Sequence, residues 1–297
     1  MEPAVGPCVE PPQLVAISRD VRARKIDTGW LVHFRADAPA NVGFRLSNQA
    51  FSWLARFGDG EIFRDRTPAR RAAVEQFIQA GVLIGARYAL LEREVELTRH
   101  ELIRLRTSIE IQHLGVLELE AVLLYLLARE NRQRGRICEL GSMFGGSTIA
   151  LALGAAASRH RNTVLAVDDH EWHRHLARPP DASMVRSLPT TLTIFRRNLR
   201  RARVADRVKL VVADTAEFGS GFGGHISLLF VDADHSLPGV RRDLDAWLPR
   251  VPPAGLAAFH DYANAMWPDV KHAVDRHAAK FSRFSVWQTM AVAQIGS

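Results

Sequence analysis

Cysteine is nearly absent from this chain: 297 residues hold only Cys8 and Cys138. One lies in a proline-rich stretch and the other in an apolar run, so no disulfide framework is expected, and a reducing, cytoplasmic setting is the simplest reading. No run of about 18 apolar residues occurs, which excludes a membrane-spanning helix. The opening MEPAVGPCVEPP has neither the basic start nor the apolar core of a secretion signal. Lysine is scarce too. Of 39 basic residues only Lys25, Lys209, Lys271 and Lys280 are lysines, leaving 35 arginines, and 32 acids bring the net charge to +7. The basic residues are interspersed with acids along the chain, so a nucleic-acid partner is not expected. Hydrophobic residues at 47% and charged residues at 24% exclude a disordered or collagen-like chain.

The length suits one large domain or two. Residues 1–24 read as a flexible tail. Residues 25–85 form a compact stretch in which Trp30–Phe34 and Val42–Leu46 are strand-like. Ser47 is placed to cap one helix and Thr67, followed by Pro68, to cap a second. Val82–Ile84 is a short extended run. Residues 86–115 read as a helical linker. Leu90, Leu91, Val95, Leu102 and Leu105 mark a narrow apolar stripe on a long charged helix over 86–111. That stripe fits a homodimer contact as well as it fits packing on its own chain. Residues 116–131 form a buried helix, apolar on nearly every side.

From Arg136 the texture changes. Short apolar runs at Ile137–Leu140, Thr163–Val167, Val208–Val212, Ile226–Val231 and Leu256–Phe259 alternate with helical segments. This is the pattern of a parallel sheet with crossover helices. Two final strands span Phe284–Ile295, turning near Gln288-Thr289. Every parallel strand ends in chemistry. The first runs into Glu139-Leu-Gly141-Ser142-Met-Phe-Gly145-Gly-Ser147-Thr, a turn in which glycines let the backbone approach a ligand and a helix start offers free N–H groups. Its spacing matches neither the dinucleotide fingerprint nor a P-loop. The later strands end in Asp168-Asp169-His170, Asp214-Thr215, Asp232-Ala-Asp234-His235 and His260-Asp261-Tyr262. In open α/β sheets ligands sit at the carboxyl ends of the strands. Five arginines at 196, 197, 200, 201 and 203 form a stripe that reads as a solvated helix face.

Residues 116–297 resemble a class I S-adenosylmethionine-dependent methyltransferase. The turn from Glu139 to Ser147 is similar to the family's first cofactor motif. The series Phe230-Val-Asp232-Ala-Asp234-His235, Val240-Arg-Arg-Asp243-Leu and Phe259-His260-Asp261-Tyr262 resembles the branch of metal-dependent sugar and macrolide O-methyltransferases and cephalosporin-hydroxylase-like proteins. The resemblance implies an α/β fold with a Rossmann-like doubly wound sheet. It implies S-adenosylmethionine held by Glu139, Gly141, Ser142, Gly145, Ser147, Asp168, His170 and Asp214, with Asp168 on the ribose and Asp214 near the adenine. It implies a divalent metal on Asp232, His260 and Asp261, with His235 as general base beside the ligand Asp232. His260 departs from the branch, which has an acid there. Magnesium prefers oxygen ligands, whereas imidazole suits a transition ion.

Residues 25–85, with Leu46-Ser-Asn-Gln-Ala-Phe-Ser-Trp53-Leu54 opening a helix, resemble the PqqD-like peptide-chaperone domain, a small winged helix. That resemblance implies a precursor peptide as the acceptor, bound by strand addition. A sugar or polyketide hydroxyl is the rival acceptor, and a non-catalytic binding protein on the same scaffold is the rival class.

Overall fold

The computed structural model describes residues 13–17, 21–26, 29–34, 43–55, 61–63, 67–79, 83–85, 87–90, 93–98, 100–101, 104–105, 118–171 and 191–297. The chain divides into two units, Met1–Ala89 with Arg93–Ile103, and Leu90–Glu92 with Arg104–Ser297.

The first unit contains strands β1 (Gln13–Ile17), β2 (Val21–Ile26), β3 (Gly29–Phe34) and β4 (Gly43–Leu46), then α1 (Asn48–Ala55), β5 (Glu61–Phe63), α2 (Pro68–Gln79) and β6 (Leu83–Gly85). β1 lies between β5 and β6, and β2, β3 and β4 form a second antiparallel sheet. The helix starts agree with the sequence. The Ser47 hydroxyl accepts the Ala50 N–H at 3.1 Å, and α2 begins at Pro68 directly after Thr67. The tail expected over 1–24 is corrected: 13–17 and 21–24 are strand. The run Leu-Val-Ala-Ile is β-forming, and β1 finds partners on both sides. Residues 1–12, with Cys8, lie outside the described residues.

The long helix over 86–111 is corrected as well. Residues Arg87–Leu90 (β7) and Arg93–Glu96 (β8) are paired strands. Val95 and Leu97 are buried while Glu96 and Thr98 are exposed, a period of two rather than of a helix. A helical turn begins only behind Thr98. There the Thr98 hydroxyl accepts the Glu101 N–H at 3.2 Å and the Glu101 carboxylate accepts the Thr98 N–H at 2.9 Å, a reciprocal cap. With β7 and β8 where its first half should be, the expected 86–111 dimer helix loses its basis.

The second unit opens with the buried helix α3 (Glu118–Arg129). It continues as β9 (Arg136–Leu140), α4 (Gly146–Ala157), β10 (Val164–Val167), α5 (Thr191–Arg201), β11 (Val208–Val211), α6 (Thr215–Gly221), β12 (Ile226–Val231), α7 (Leu237–Trp247), β13 (Leu256–Phe259), α8 (Pro268–Asp275), β14 (Phe281–Trp287) and β15 (Met290–Ile295). The sheet order is β11-β10-β9-β12-β13-β15-β14. The first five strands run parallel, and the final hairpin is antiparallel. This is the Rossmann-like doubly wound fold expected from the alternating pattern. β9, β10 and β12 are buried along nearly their whole length, as helix-covered parallel strands must be. The arginines of α5 face solvent, as expected.

The register sets up everything that follows. Val211, Val167, Leu140, Val231 and Phe259 pair side by side across five strands. Gly141, Asp168, Asp232 and His260 therefore leave the sheet in one row. Their backbone N–H groups donate to the carbonyls of Val167, Val211, Leu140 and Val231 at 2.8–3.1 Å. The chain winds outward from β9 to β11 and then crosses back to β12 on the other flank of β9. This switch point is where such sheets open a ligand crevice.

Candidate active site

A cavity of about 840 Å³ opens along this row, within the size range of small-molecule sites. Gly141, Ser142, Ser147, Asp168, Asp214, Asp232, His235, His260 and Asp261 all line it. Two glycines shape the turn on its floor. Gly141 has φ +80°, and a Cβ there would run into the backbone carbonyl of Asp232. Gly145 has φ +89° and caps α4, where a Cβ would meet the Phe195 ring at 3.1 Å. The start of α4, at Gly146 and Ser147, faces the cavity.

Asp168 has a job within the fold. Its Oδ2 accepts the N–H groups of Ser142 and Met143 at 2.6 and 2.7 Å, and its Oδ1 accepts the His170 N–H at 2.5 Å. The carboxylate thus pins the glycine-rich turn, and Asp169 beside it also faces the cavity. Replacing Asp168 by Ala strands two buried N–H donors and removes charged hydrogen bonds worth ~1.5–3 kcal/mol each. Calorimetry should show affinity for S-adenosylhomocysteine falling at least ~10-fold, given that ~1.4 kcal/mol is a factor of ten.

Of the other expected cofactor residues, Glu139 and His170 do not line the cavity, whereas Asp214 does. Glu139 is fully buried beneath the turn and does not line the cavity. It takes the Thr148 hydroxyl at 2.5 Å, and burial pushes its carboxyl up to about 8. His170 turns its Nδ1 to the Thr191 hydroxyl at 3.0 Å and packs on Phe195, and burial lowers its pKa. Asp214 lines the cavity but also caps α6, its Oδ1 accepting the Glu217 N–H at 2.8 Å, with Arg242 at 3.5 Å from its Oδ2.

The Asp and His side chains at the ends of β12 and β13 converge. Atoms of Asp232, His235, His260 and Asp261 lie within 4.8 Å of one another. His260 Nδ1 is 3.1 Å from Asp232 Oδ1 and 3.2 Å from Asp261 Oδ2, yet makes a well-directed hydrogen bond to neither, although it is buried. His235 Nε2 is 3.0 Å from Asp261 Oδ2 and 3.8 Å from Asp232 Oδ1. Asp261 reaches inward from a left-handed backbone, φ +56°, at a cost of ~1–3 kcal/mol. Asn264 steadies its other oxygen at 2.7 Å.

The electrostatics match this convergence. Burial works against a charged His260, but Asp232, Glu120 and Asp261 outweigh it and hold the imidazolium well above its usual range. Burial likewise works to raise Asp261, and the hydrogen bond from His235 together with the nearby charge of His260 holds it far below the carboxylate range. A field that gathers protons between carboxylates also suits a divalent cation, which displaces them. A buried nitrogen aimed between two carboxylates is the donor set of a borderline transition ion rather than of magnesium. The expected set Asp232, His260 and Asp261 therefore fits a metal, and His235 falls inside the same cluster rather than beyond it.

Residues 138–262 match the family model described as a methyltransferase domain. Over these residues the second unit is similar to a methyltransferase domain. Among solved structures, the O-methyltransferase NovP is 18% identical, with a TM-score of 0.53 over 62% of this chain and 83% of its own. TomG from Streptomyces achromogenes, an O-methyltransferase involved in tomaymycin synthesis and solved with S-adenosylmethionine, is 18% identical, with a TM-score of 0.45 over 65% of this chain and 90% of its own. An O-methyltransferase from Bacillus cereus is 16% identical, with a TM-score of 0.45 over 75% and 97%. The NovP likeness bears on the fold of the methyltransferase unit.

Sequence reading missed three residues in the methyltransferase unit. Glu120 of α3 meets His260 Nε2 at 3.0 Å. Trp267 packs on the His235 ring with centroids 4.6 Å apart, at the cavity rim beside exposed Met266. Asp243 faces the cavity and accepts the Thr215 hydroxyl at 2.6 Å, and burial pushes it up to about 7. Among the described residues no helix is long and apolar enough to cross a membrane.

Proposed function

We propose that this chain is an S-adenosylmethionine-dependent O-methyltransferase with a divalent ion on Asp232, His260 and Asp261. The observation that carries the reading is the shared cavity: the glycine-rich turn and the Asp/His cluster open on one space at the switch point of the sheet. S-adenosylmethionine would supply the methyl group and the ion the positive charge that stabilises the acceptor oxygen as it loses its proton. The turn at Gly141–Ser142 and the start of α4 take the amino-acid end of the cofactor. Asp168 and Asp169 offer carboxylates to the ribose. His235 would take the hydroxyl proton as the acceptor oxygen attacks the methyl group in line and the methyl–sulfur bond breaks, with S-adenosylhomocysteine as the leaving group. Proximity and alignment supply much of the acceleration.

For the acceptor, the reading is a hydroxyl on a ribosomally made peptide, brought in by the N-terminal unit. Support comes from the two three-stranded antiparallel sheets of that unit, whose outer strands suit strand addition. A sugar or polyketide hydroxyl is the second reading, and a cavity of about 840 Å³ favours it. Mass analysis after incubation with leader-bearing peptide, leader-free peptide and small hydroxylated compounds decides. A gain of one methylene on the leader-bearing peptide alone supports the first reading. The same gain on small compounds alone supports the second. A gain of one oxygen, or no product from any of them, overturns methyl transfer.

A further inference from the structure

We propose that Glu120 is the positioning residue that makes His260 a metal ligand through Nδ1, by accepting the hydrogen bond of its Nε2–H. The proposal rests on the reading of the Asp/His cluster as a metal site. Glu120 belongs to α3, outside the strand ends that carry the cluster, and contacts His260 across 140 residues of chain. It is 1% exposed. Its Oε2 is 3.0 Å from His260 Nε2, and its Oε1 accepts the Thr289 hydroxyl at 2.5 Å. Thr289 sits in the β14–β15 turn, and its carbonyl in turn takes the Ala263 N–H at 2.9 Å, two residues past Asp261. The carboxylate is therefore held from behind by the same hairpin that steadies the ligand loop.

The tautomer follows from the partners. A carboxylate only accepts, so Nε2 must be the donor. A neutral imidazole then has its lone pair on Nδ1, the atom aimed between Asp232 and Asp261. Without Glu120 the ring is free to carry its proton on Nδ1, facing the ion, and to swing about Cβ–Cγ. Partners of this kind behind a ligating histidine fix ring orientation and raise ligand basicity. A purely structural Glu120 would leave the ion's affinity and its nitrogen ligand unchanged.

The test uses the full-length protein with Mn²⁺ as probe, no acceptor present, and competition against a chelating dye. Glu120→Leu should weaken Mn²⁺ by about 10–100-fold, the usual loss when such a partner is removed. Glu120→Gln should lose less, because its amide oxygen still accepts from Nε2. Affinity for S-adenosylhomocysteine and the melting temperature report folding, and the isosteric Gln variant carries the test if the Leu variant does not fold. Pulsed electron paramagnetic resonance of the Mn²⁺-loaded protein should show a directly bound nitrogen that disappears in part in His260→Asp and changes in Glu120→Leu. Equal Mn²⁺ affinity in wild type, Gln and Leu variants overturns the positioning role. So does a nitrogen signal that His260→Asp leaves unaltered. Both results leave the metal reading standing, whereas a wild type that takes no Mn²⁺ removes both.

Discussion

Replacing His235 by Ala or Asn is expected to lower kcat by ~10²–10⁴, the usual range for a lost general base. An alcohol is a weak nucleophile until its proton leaves, and a sulfonium methyl group offers nothing to accept that proton. His235 Nε2 sits 3.0 Å from Asp261 and 26% of its side chain is exposed to the cavity, so it can reach an acceptor held beside the cluster. The Trp267 ring packs against it at a tilt of 39°, with centroids 4.6 Å apart. The structure adds a sharper distinction than the sequence allowed, because Nε2 is also close enough to the other donors to be a fourth ligand. Titration of the His235→Ala protein with Mn²⁺ separates the roles. A proton acceptor leaves affinity for the ion near wild type while kcat falls. A ligand takes that affinity down together with kcat. Activity within a few-fold of wild type sinks both, and the proton then passes elsewhere.

Stripping divalent ions should be at least as damaging. Charge stabilisation by a bound cation is worth several kcal/mol at the transition state. Each 1.36 kcal/mol is tenfold in rate, so a loss of ~10²–10³ or more is expected in excess chelator. Added Mn²⁺ or Co²⁺ should restore turnover, and Asp232→Asn should resist that rescue because it lacks both a ligand charge and the partner of His260 Nδ1. Undiminished turnover in excess chelator would take the ion out of the reaction and leave the Asp/His cluster as a proton-holding network.

The methyltransferase unit was legible because its strands end abruptly. Buried parallel strands are short apolar runs, so the polar residue that follows each one, Asp168, Asp232 or His260, marks the sheet edge without any fold in hand. Convergence of Asp232, His260 and Asp261 followed from adjacency of two strands. What the sequence could not convey was which way a carboxylate turns. Asp168 and Asp214 stand where ligand-binding acids were expected, and both spend oxygens on backbone N–H groups nearby. Glu120 was hidden by its ordinary setting, since an acid in the first turn of a helix already has an explanation in the helix dipole. Its one signal is position, as the last acid before a long apolar run. Residues 87–96 failed for another reason. Charged residues alternating with Tyr88, Leu90 and Val95 satisfy both periods over so short a window.

A Cβ on Gly141 would run into the Asp232 carbonyl, so the glycine-rich turn and the strand end that carries Asp232 pack backbone against backbone. If cofactor and ion bind there as proposed, a shift of either segment presses on the other, and occupancy of one site is expected to bias the other. Such a coupling is symmetric by thermodynamic necessity: whatever factor the ion adds to cofactor affinity, the cofactor adds to that of the ion. On the proposed function the two sites would fill in concert, and the order in which the two small ligands arrive would leave the final state unchanged.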